Sequence, residues 1–256
     1  MRKAKRLILT RSEKDSLAIA AKLPQASVWV WPAFQFAKPQ NASLVRERLK
    51  DLSDTQAVLL VSPTAVSFAR DYIEKWPSSV AACCVGEATA DAVRKAWGPS
   101  VQIISPSGGT SESGSEALFS QMKKNGLVRS VLILRAQSGR EWMAQRLQEE
   151  GVRVEKLGVY ERIPLELDEK KKLELIRAMQ EETPVLLVTS TEAVGVLKRA
   201  FSSVSGAFEW LQSGSAVTIH PRCRQALLQE GFLHAELAEQ SNAEAVAHCL
   251  SAALSD

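Results

Sequence analysis

Short apolar runs alternate with amphipathic segments along most of the chain. The run Arg6–Thr10 is followed by a polar loop and by an amphipathic segment over Asp15–Leu23, which predicts a strand, a loop and a helix. The same succession returns at Val131–Leu134, with a helix predicted over Glu141–Glu150 and closed by Gly151. The chain therefore contains the same local unit twice.

Three further pairs of segments repeat in the same order in the two halves. The pairs are Ala57–Val66 with Pro184–Val194, Cys83–Gly98 with Val217–Phe232, and Ser113–Met122 with Ser241–Leu250. The offset within each pair stays at roughly 125–134 residues, as duplicated domains with small insertions would give. Strands and helices that alternate in this way predict a doubly wound, mostly parallel sheet in each half.

Capping residues mark the predicted helix starts. Ser62 is expected as an N-cap, with Pro63 in the first helical position. Four S/T-x-x-E pairs match the capping box, in which the two residues cap the same helix start reciprocally. They are Ser138/Glu141, Thr189/Glu192, Ser113/Glu116 and Ser241/Glu244.

Two extended stretches at equivalent places suggest how the domains are connected. They are VWVWPAFQFAKPQ, which begins at Val28, and Val154–Pro164. Both look like strands that leave a domain, and the two could pair as a short ladder. We expect a discontinuous domain of residues 1–35 plus 165–256, an inserted domain of residues 40–157, and linker strands at 36–39 and 158–164. One large domain remains the alternative at this length.

The segment Glu166–Glu182 has Leu173, Ile176 and Met179 at helical spacing among many charges. This pattern predicts an amphipathic surface helix. We expect no functional role for it.

Composition and charge exclude several classes of protein. The chain has 256 residues, an apolar fraction of 45% and a net charge of only +3, with both signs interspersed. These values are typical of a folded globular protein and give no support to nucleic-acid binding. Only Leu7–Thr10 precede Arg11, far too few apolar residues for a secretory signal, and no stretch is long enough for a membrane span. We expect a cytoplasmic monomer that contacts neither nucleic acid nor membrane.

The cysteines and histidines do not predict a metal site. Cys83 and Cys84 lie in an apolar run, where free cysteine behaves as a small hydrophobic residue. The other cysteines show no CxxC spacing. Three histidines are spaced too widely for a local ligand pair. We expect neither a metal nor a cofactor.

The segments LTRSEKD, VSPTAV, VGEATADAV, VLILRAQSGREW with VYERIP, and VTSTEAV together resemble the uroporphyrinogen-III synthase family over nearly the whole chain. The resemblance implies two flavodoxin-like α/β domains, a two-stranded linker and an active site in the interdomain cleft. It also implies a cofactor-independent hydro-lyase acting on hydroxymethylbilane, a linear tetrapyrrole with eight carboxylates. Such an enzyme removes the terminal hydroxyl as water, inverts ring D through a spirocyclic intermediate and closes the ring, in the pathway to heme and siroheme.

The predicted strand-to-helix turns suit a substrate with many carboxylates. Helix N-termini beyond the carboxyl ends of parallel strands offer unpaired N–H groups and a positive dipole end, and arginine can grip a carboxylate with two hydrogen bonds. The candidate substrate-binding residues are Arg11, Ser62, Thr64, Gly86, Thr89, Arg135, Ser138, Gly139, Arg140, Ser190, Thr191, His220 and Arg222. For each there is a plainer alternative: a helix cap, a tight turn, a structural histidine or a solvated surface arginine.

Tyr160, one of two tyrosines, is the candidate catalytic residue. The resemblance implies a tyrosine at this place that helps the hydroxyl to depart, and a phenol can donate a proton or hydrogen bond to it. The alternative is an aromatic side chain packed on the linker ladder. The preceding enzyme, hydroxymethylbilane synthase, is the one candidate protein partner.

Two segments leave the interpretation open. His220–Arg224 departs from the small, threonine-rich turn that is usual in the family. The loop Ile104–Ser115 is rich in serine and glycine, so it could close over the substrate or simply be mobile.

A binding or sensor protein with two α/β domains and no catalysis is the main alternative function. A nucleotide-dependent transferase is disfavoured because no G-x-G-x-x-G follows a predicted strand.

Overall fold

The fold is described from a computed structural model of the chain, which covers residues 4–106, 114–240 and 242–255. The elements of the first 164 residues are β1 Ala4–Leu9, α1 Glu13–Ala20, β2 Ser27–Val30, β3 Phe34–Ala37, α2 Ala42–Lys50, β4 Ala57–Leu60, α3 Pro63–Arg70, β5 Ala81–Cys84, α4 Glu87–Trp97, β6 Ile103–Ile104, α5 Ser115–Lys124, β7 Ser130–Ala136, α6 Trp142–Glu149 and β8 Arg153–Pro164. The remaining elements are α7 Glu169–Glu181, β9 Glu182–Leu187, α8 Thr191–Phe201, α9 Ala207–Gln212, β10 Ser215–Thr218, α10 Pro221–Gln229, β11 His234–Leu237 and α11 Ala243–Ser255.

These elements form two compact units. Unit 1 comprises Met1–Gln35 and Ile163–Asp256, and unit 2 comprises Phe36–Arg162. Unit 1 contains a five-stranded sheet in the order β2-β1-β9-β10-β11, and all four strand pairings are parallel. The second sheet has the order β3-β8-β7-β4-β5-β6, with parallel pairings from β8 to β6. The predicted α/β fold with parallel sheets is confirmed.

The strand order reproduces the sequence repeat. Strands β8, β7, β4, β5 and β6 lie side by side in the order of their repeat partners β2, β1, β9, β10 and β11. Unit 1 has the flavodoxin-like order 2-1-3-4-5. In unit 2 the partners of β1 and β2 come last in the chain, so a circularly permuted chain builds the same sheet. The two extended stretches also pair as expected, because β3 is the neighbour of β8. Their assignment as linker strands stays a prediction.

The central strands read as continuous apolar runs because both faces of each sheet are covered. Every residue of β4, β5 and β7 is buried. Alternate side chains enter different cores: Val58 and Leu60 pack in one cluster of unit 2, whereas Ala57 and Leu59 pack in another. Burial on both faces fixes the register of the strands, because a slip by one residue would exchange the two sets of side chains.

Two of the predicted caps are wrong. Ser138 and Glu141 do not form a capping box, since Glu141 is itself the N-cap of α6 and its side chain makes no cap hydrogen bond. The cap of α8 is Ser190 and not Thr189. Capping depends on the residue at which the backbone enters the helix, and both helices begin one residue later than predicted.

Two further predicted caps depend on residues that the structure does not describe. Ser113 and Ser241 are outside the described residues. So are residues 107–113 of the predicted loop Ile104–Ser115. The N-cap of α5 is Gly114, and Asn242 accepts hydrogen bonds from the N–H groups of Glu244 and Ala245 in α11. Ser62 caps α3 as predicted, with Pro63 at the first position.

Candidate functional site

The carboxyl-terminal edges of the two sheets hold nearly all the candidate residues. In an open parallel sheet, ligands bind beyond this edge at the point where the strand order reverses. That point lies between β1 and β9 in unit 1, and between β7 and β4 in unit 2. Arg11 and Ser190 follow the first pair of strands, and Ser138 and Ser62 follow the second. The fold therefore places two groups of predicted residues, one in each unit, at the edge where binding is expected.

The turn after β4 is the simplest of these sites. Ser62 Oγ accepts a hydrogen bond from the N–H of Ala65 at 3.1 Å, and Pro63 has no N–H to satisfy. Thr64 lies in the first turn, where an N–H group has no carbonyl partner within the helix. No acidic residue occupies the first turn of α3. The helix dipole at this end is thus not neutralised by a carboxylate of its own helix.

The turn after β5 differs from the prediction at Thr89. Gly86 is the N-cap of α4 and has an extended backbone, with φ at 175°. Thr89 is only 2% exposed, and its N–H donates to the Gly86 carbonyl at 3.0 Å. The Thr89 N–H is therefore already used within the helix start, and its side chain is buried.

Arg135 is the most enclosed of the predicted arginines. The residue is 9% exposed, and its guanidinium donates to the carbonyls of Ala136, Gly139 and Arg140 and to Glu141 Oε1 at 2.9 Å. An added Cβ on Gly139 would lie 3.3 Å from Arg135 Nη2, so this glycine lies directly against the guanidinium. Arg135 thus stabilises the loop between β7 and α6 from within.

Glu141 connects this loop to the neighbouring strand. Its Oε2 accepts a hydrogen bond from Lys156 Nζ at 2.7 Å, while Oε1 accepts from Arg135. The hydrogen bonds from Lys156 and Arg135 lower the pKa of Glu141. Neither Glu141 nor Lys156 belongs to the predicted set, because a contact between residues 15 apart leaves no local pattern in the sequence.

An open pocket of about 510 Å³ lies in unit 2 beside this loop. Within it, Gln137 Nε2 donates to Asn41 Oδ1 at 3.1 Å, and the N–H of Gln40 donates to Glu161 Oε1 at 2.8 Å. Of the lining residues only Ser138 was predicted. The lining residues are Gln40, Asn41, Gln137, Ser138, Glu161 and Arg162. Arg140, two residues after Ser138 in the chain, is exposed.

Tyr160 lies on β8, next to the pocket residue Glu161. Its ring stacks on Phe68 with centroids 5.5 Å apart and meets the edge of Phe36 at 5.7 Å. The residue is 6% exposed and belongs to a core cluster of unit 2. The aromatic neighbours therefore fix the ring, as the structural alternative expected, and its catalytic role stays a prediction.

The candidate residues of unit 1 lie on three successive turns. Arg11 Nη2 pairs with Asp15 Oδ2 at 3.3 Å on α1. Ser190 caps α8 through the Ala193 N–H at 3.2 Å, and Thr191 is the first residue of that helix and is exposed.

On the third turn, His220 Nδ1 caps α10 by accepting the N–H of Arg222 at 3.1 Å, and the first turn of α10 has no acidic residue. A neutral imidazole that accepts at Nδ1 carries its hydrogen on Nε2, so His220 can still donate one hydrogen bond. Arg222 is exposed.

Among the residues that the structure describes, no group of three or more His, Cys, Asp or Glu side chains is placed to hold a metal ion. In the same part of the chain, no helix has the length and apolarity needed to span a membrane.

Comparison with known proteins identifies the family of this chain. A family model described as Uroporphyrinogen-III synthase HemD matches residues 15–248. The chain belongs to the uroporphyrinogen-III synthase family. Uroporphyrinogen-III synthase of Salmonella typhimurium is 22% identical over 253 residues, which cover 95% of this chain and 99% of that protein. The Escherichia coli enzyme is 23% identical over 229 residues, covering 87% and 89%.

The fold of this family member is also found in a solved structure. A variant of uroporphyrinogen III synthase from the extremely thermophilic bacterium Thermus thermophilus superimposes with a TM-score of 0.66 at 17% identity, covering 98% of this chain and 99% of that one. The family and the names of the relatives indicate a uroporphyrinogen-III synthase of tetrapyrrole biosynthesis, a cyclising enzyme of the hydro-lyase type.

Proposed function

We propose that this chain binds hydroxymethylbilane at the carboxyl-terminal edges of its sheets and converts it to uroporphyrinogen III. The reaction removes the terminal hydroxyl as water, inverts ring D and closes the macrocycle. The observation that supports this assignment best is the family match over residues 15–248, together with a fold that gathers the predicted turns at the two sheet edges. The expected cleft between the domains, the cytoplasmic location, the monomeric state and the supply of substrate by hydroxymethylbilane synthase belong to the same proposal.

The helix starts would bind the substrate through its carboxylates. The first turns of α3 and α10 carry no acidic residue, so the positive ends of their dipoles favour an anion. Arg11 and Arg140 would add charge-assisted hydrogen bonds. The enzyme would then act mainly by holding the flexible bilane in the bent conformation from which ring D inverts before closure.

Tyr160 would donate a hydrogen bond or proton to the departing hydroxyl. An electron-rich pyrrole expels this hydroxyl readily, so we place the contribution at or below the lower end of the usual range for general acid catalysis, about 10- to 100-fold in kcat. The two Phe rings that hold the tyrosine ring would reduce the motion of its hydroxyl.

The test is a coupled assay in which freshly generated hydroxymethylbilane is given to the purified protein, and uroporphyrins I and III are separated after oxidation. Isomer III should predominate with the wild-type chain, whereas the uncatalysed closure gives isomer I. A product mixture that contains only isomer I, at the rate seen without protein, would overturn the proposal.

The chain offers a matched control for Tyr160. Tyr72, the other tyrosine, lies in the same core cluster, and its buried hydroxyl has no hydrogen-bond partner among the described residues. Tyr72→Phe removes an unsatisfied buried group, so it should not lower stability and should leave kcat unchanged. Tyr160→Phe should lower kcat for isomer III, and equal rates in the two variants would remove Tyr160 from the mechanism.

A further inference from the structure

The pairing of β7 with β8 contains an irregularity next to Tyr160. The two strands keep one register from Ser130↔Arg153 to Arg135↔Gly158, and then Ala136 pairs with Tyr160, so Val159 is an extra residue on β8. Such bulges are uncommon in parallel pairs and are over-represented beside active sites. The insertion lies at the carboxyl-terminal edge of the sheet, where the pocket of unit 2 is found.

The bulge determines the side of the sheet on which Tyr160 packs. Successive side chains of a regular strand point to opposite faces. On β8, Val154 packs against one core cluster of unit 2 while Leu157 and Val159 pack in the other. By alternation Tyr160 would join Val154, but it packs in the same cluster as Val159. The extra residue therefore turns Tyr160 toward Phe36 and Phe68.

Gly158 allows this bulge through close contact with Gln137. A Cβ on Gly158 would lie 3.0 Å from Gln137 Cδ and Oε1, and 3.1 Å from Gln137 Cα. The Cα belongs to the backbone, so rotation of the glutamine side chain cannot relieve the whole contact. This close approach favours glycine at position 158. The φ of Gly158 is not positive, so the left-handed backbone region is not the reason.

Gln137 joins three parts of the site. Its N–H donates to the Tyr160 carbonyl at 3.0 Å, its Nε2 donates to Asn41 Oδ1 at 3.1 Å, and the residue lines the pocket. The backbone of Tyr160 is thus held directly by the residue that excludes a side chain at Gly158.

We propose that Gly158 and Gln137 are positioning residues, which set the place of the Tyr160 hydroxyl relative to substrate bound at the edge of unit 2. The inference rests on the proposed function of Tyr160. Neither residue contacts the reacting atoms; both act through the geometry of the bulge. Because misplacement of a catalytic group by about 1 Å can lower a rate about 100-fold, a small shift at this bulge is enough to affect kcat.

The first test replaces Gly158 by alanine and compares it with a glycine that has room. Gly195 in α8 is the matched control, since an added Cβ there meets only Arg199 Nη1, at 4.0 Å. Gly158→Ala should lower kcat about tenfold with KM nearly unchanged, and Gly195→Ala should change neither. Gln137→Ala, which introduces no clash, should lower kcat about two- to fivefold because the bond from its main-chain N–H remains.

A double-mutant cycle separates positioning from a general loss of structure. If Gly158→Ala acts through the Tyr160 hydroxyl, it should cause no further loss of kcat in the Tyr160→Phe background. The same loss in both backgrounds would overturn the inference.

A second readout does not depend on activity. Fluorotyrosine labelling gives two signals, from Tyr72 and Tyr160, which Tyr72→Phe assigns. The Tyr160 signal should shift in Gly158→Ala and stay in place in Gly195→Ala. An unshifted signal contradicts the positioning role even if the chain makes isomer III. Failure of the proposed function would be recognised by a different result, because the wild-type protein would then form no isomer III.

Discussion

Arg11 lies just after β1, and Arg135 is the last residue but one of β7, the repeat partner of β1, yet the two arginines are held in different ways. Arg135 is enclosed and donates to three carbonyl groups and to Glu141. Arg11 is partly exposed and has one described ion pair, 3.3 Å long, with Asp15. Equivalence in the repeat therefore does not mean equivalence of role.

The lengths of the two loops explain the difference. β1 ends at Leu9 and α1 begins at Glu13, with Ser12 as a side-chain cap. β7 continues to Ala136 and α6 begins only at Trp142, without a side-chain cap. The longer loop has more carbonyl groups to satisfy, and Arg135 satisfies them. Arg11, with one described ion pair and a partly exposed side chain, is therefore the better candidate of the two for the proposed contact with a substrate carboxylate.

Arg135→Ala is expected to have the largest effect on stability. It leaves the carbonyl groups of Ala136, Gly139 and Arg140 without this donor and takes from Glu141 one of its two cationic partners. Loss of the hydrogen bonds from this enclosed, charged group to the carbonyl groups costs about 2–3 kcal/mol. Urea unfolding of Arg135→Ala should show a lower midpoint than that of the wild type. The midpoint of Arg135→Lys should lie between those of wild type and Arg135→Ala, because lysine cannot reproduce the planar set of donors of the guanidinium group.

The matched variant is Arg11→Ala, which removes only a partly exposed pair worth about 0.2–1 kcal/mol. It should leave the urea midpoint nearly unchanged and raise KM for hydroxymethylbilane about tenfold, the equivalent of one lost charge-assisted hydrogen bond. If the two arginine variants lose equal stability, the contrast between the two loops is incorrect.

Ser62 and Ser190 are a pair for which the repeat did keep one role. Each caps the helix after its strand, by accepting the N–H of Ala65 at 3.1 Å or of Ala193 at 3.2 Å. Ser62→Ala and Ser190→Ala should each cost about 1 kcal/mol, and the corresponding glycine variants only a few tenths. Unfolding curves of the four variants test this, and a difference above about 0.5 kcal/mol between the two alanine variants would show that the caps are not equivalent.

The sequence predicts most of the fold because the strands are buried on both faces. Four repeated segments, their order and the cap at Ser62 follow from apolar runs and from serine or proline at their ends. The buried face of α7 does not follow from the pattern of apolar residues. Leu173 and Ile176 are 59% and 43% exposed, whereas Leu175 and Ala178 are buried. The helix has apolar residues on more than one side, so its spacing alone does not decide which side packs against the sheet.

The candidate site is less predictable than the fold because it depends on contacts between distant segments. Gln137 meets Asn41 across 96 residues, and Lys156 meets Glu141 across 15. A shift of one residue in the start of a helix is enough to move a cap from Thr189 to Ser190. One signal was available, since an isolated glycine within a strand indicates a bulge or a close backbone approach, and Gly158 is such a residue.

The smallest expected effect concerns Glu141, and it depends on pH. Hydrogen bonds from Lys156 and Arg135 lower the pKa of Glu141 in the folded chain. A lowered folded pKa means that the ionised carboxylate stabilises the fold above its unfolded pKa of about 4.3, and that this contribution is lost as pH falls through the lower folded value. Glu141→Gln lacks this contribution at every pH.

The difference in urea midpoint between wild type and Glu141→Gln should therefore be constant from about pH 7 to pH 5 and shrink below about pH 4. The pKa values of Asp54 and Asp168 are lowered as well, but both aspartates are present in the two proteins, so their effect cancels in the difference. Because Glu141 is exposed, about 1 M salt should reduce the difference at neutral pH. A difference that does not change with pH would mean that Glu141 holds the β7–α6 loop by shape alone, and Arg135 would then stabilise it through the carbonyl groups without help from the carboxylate.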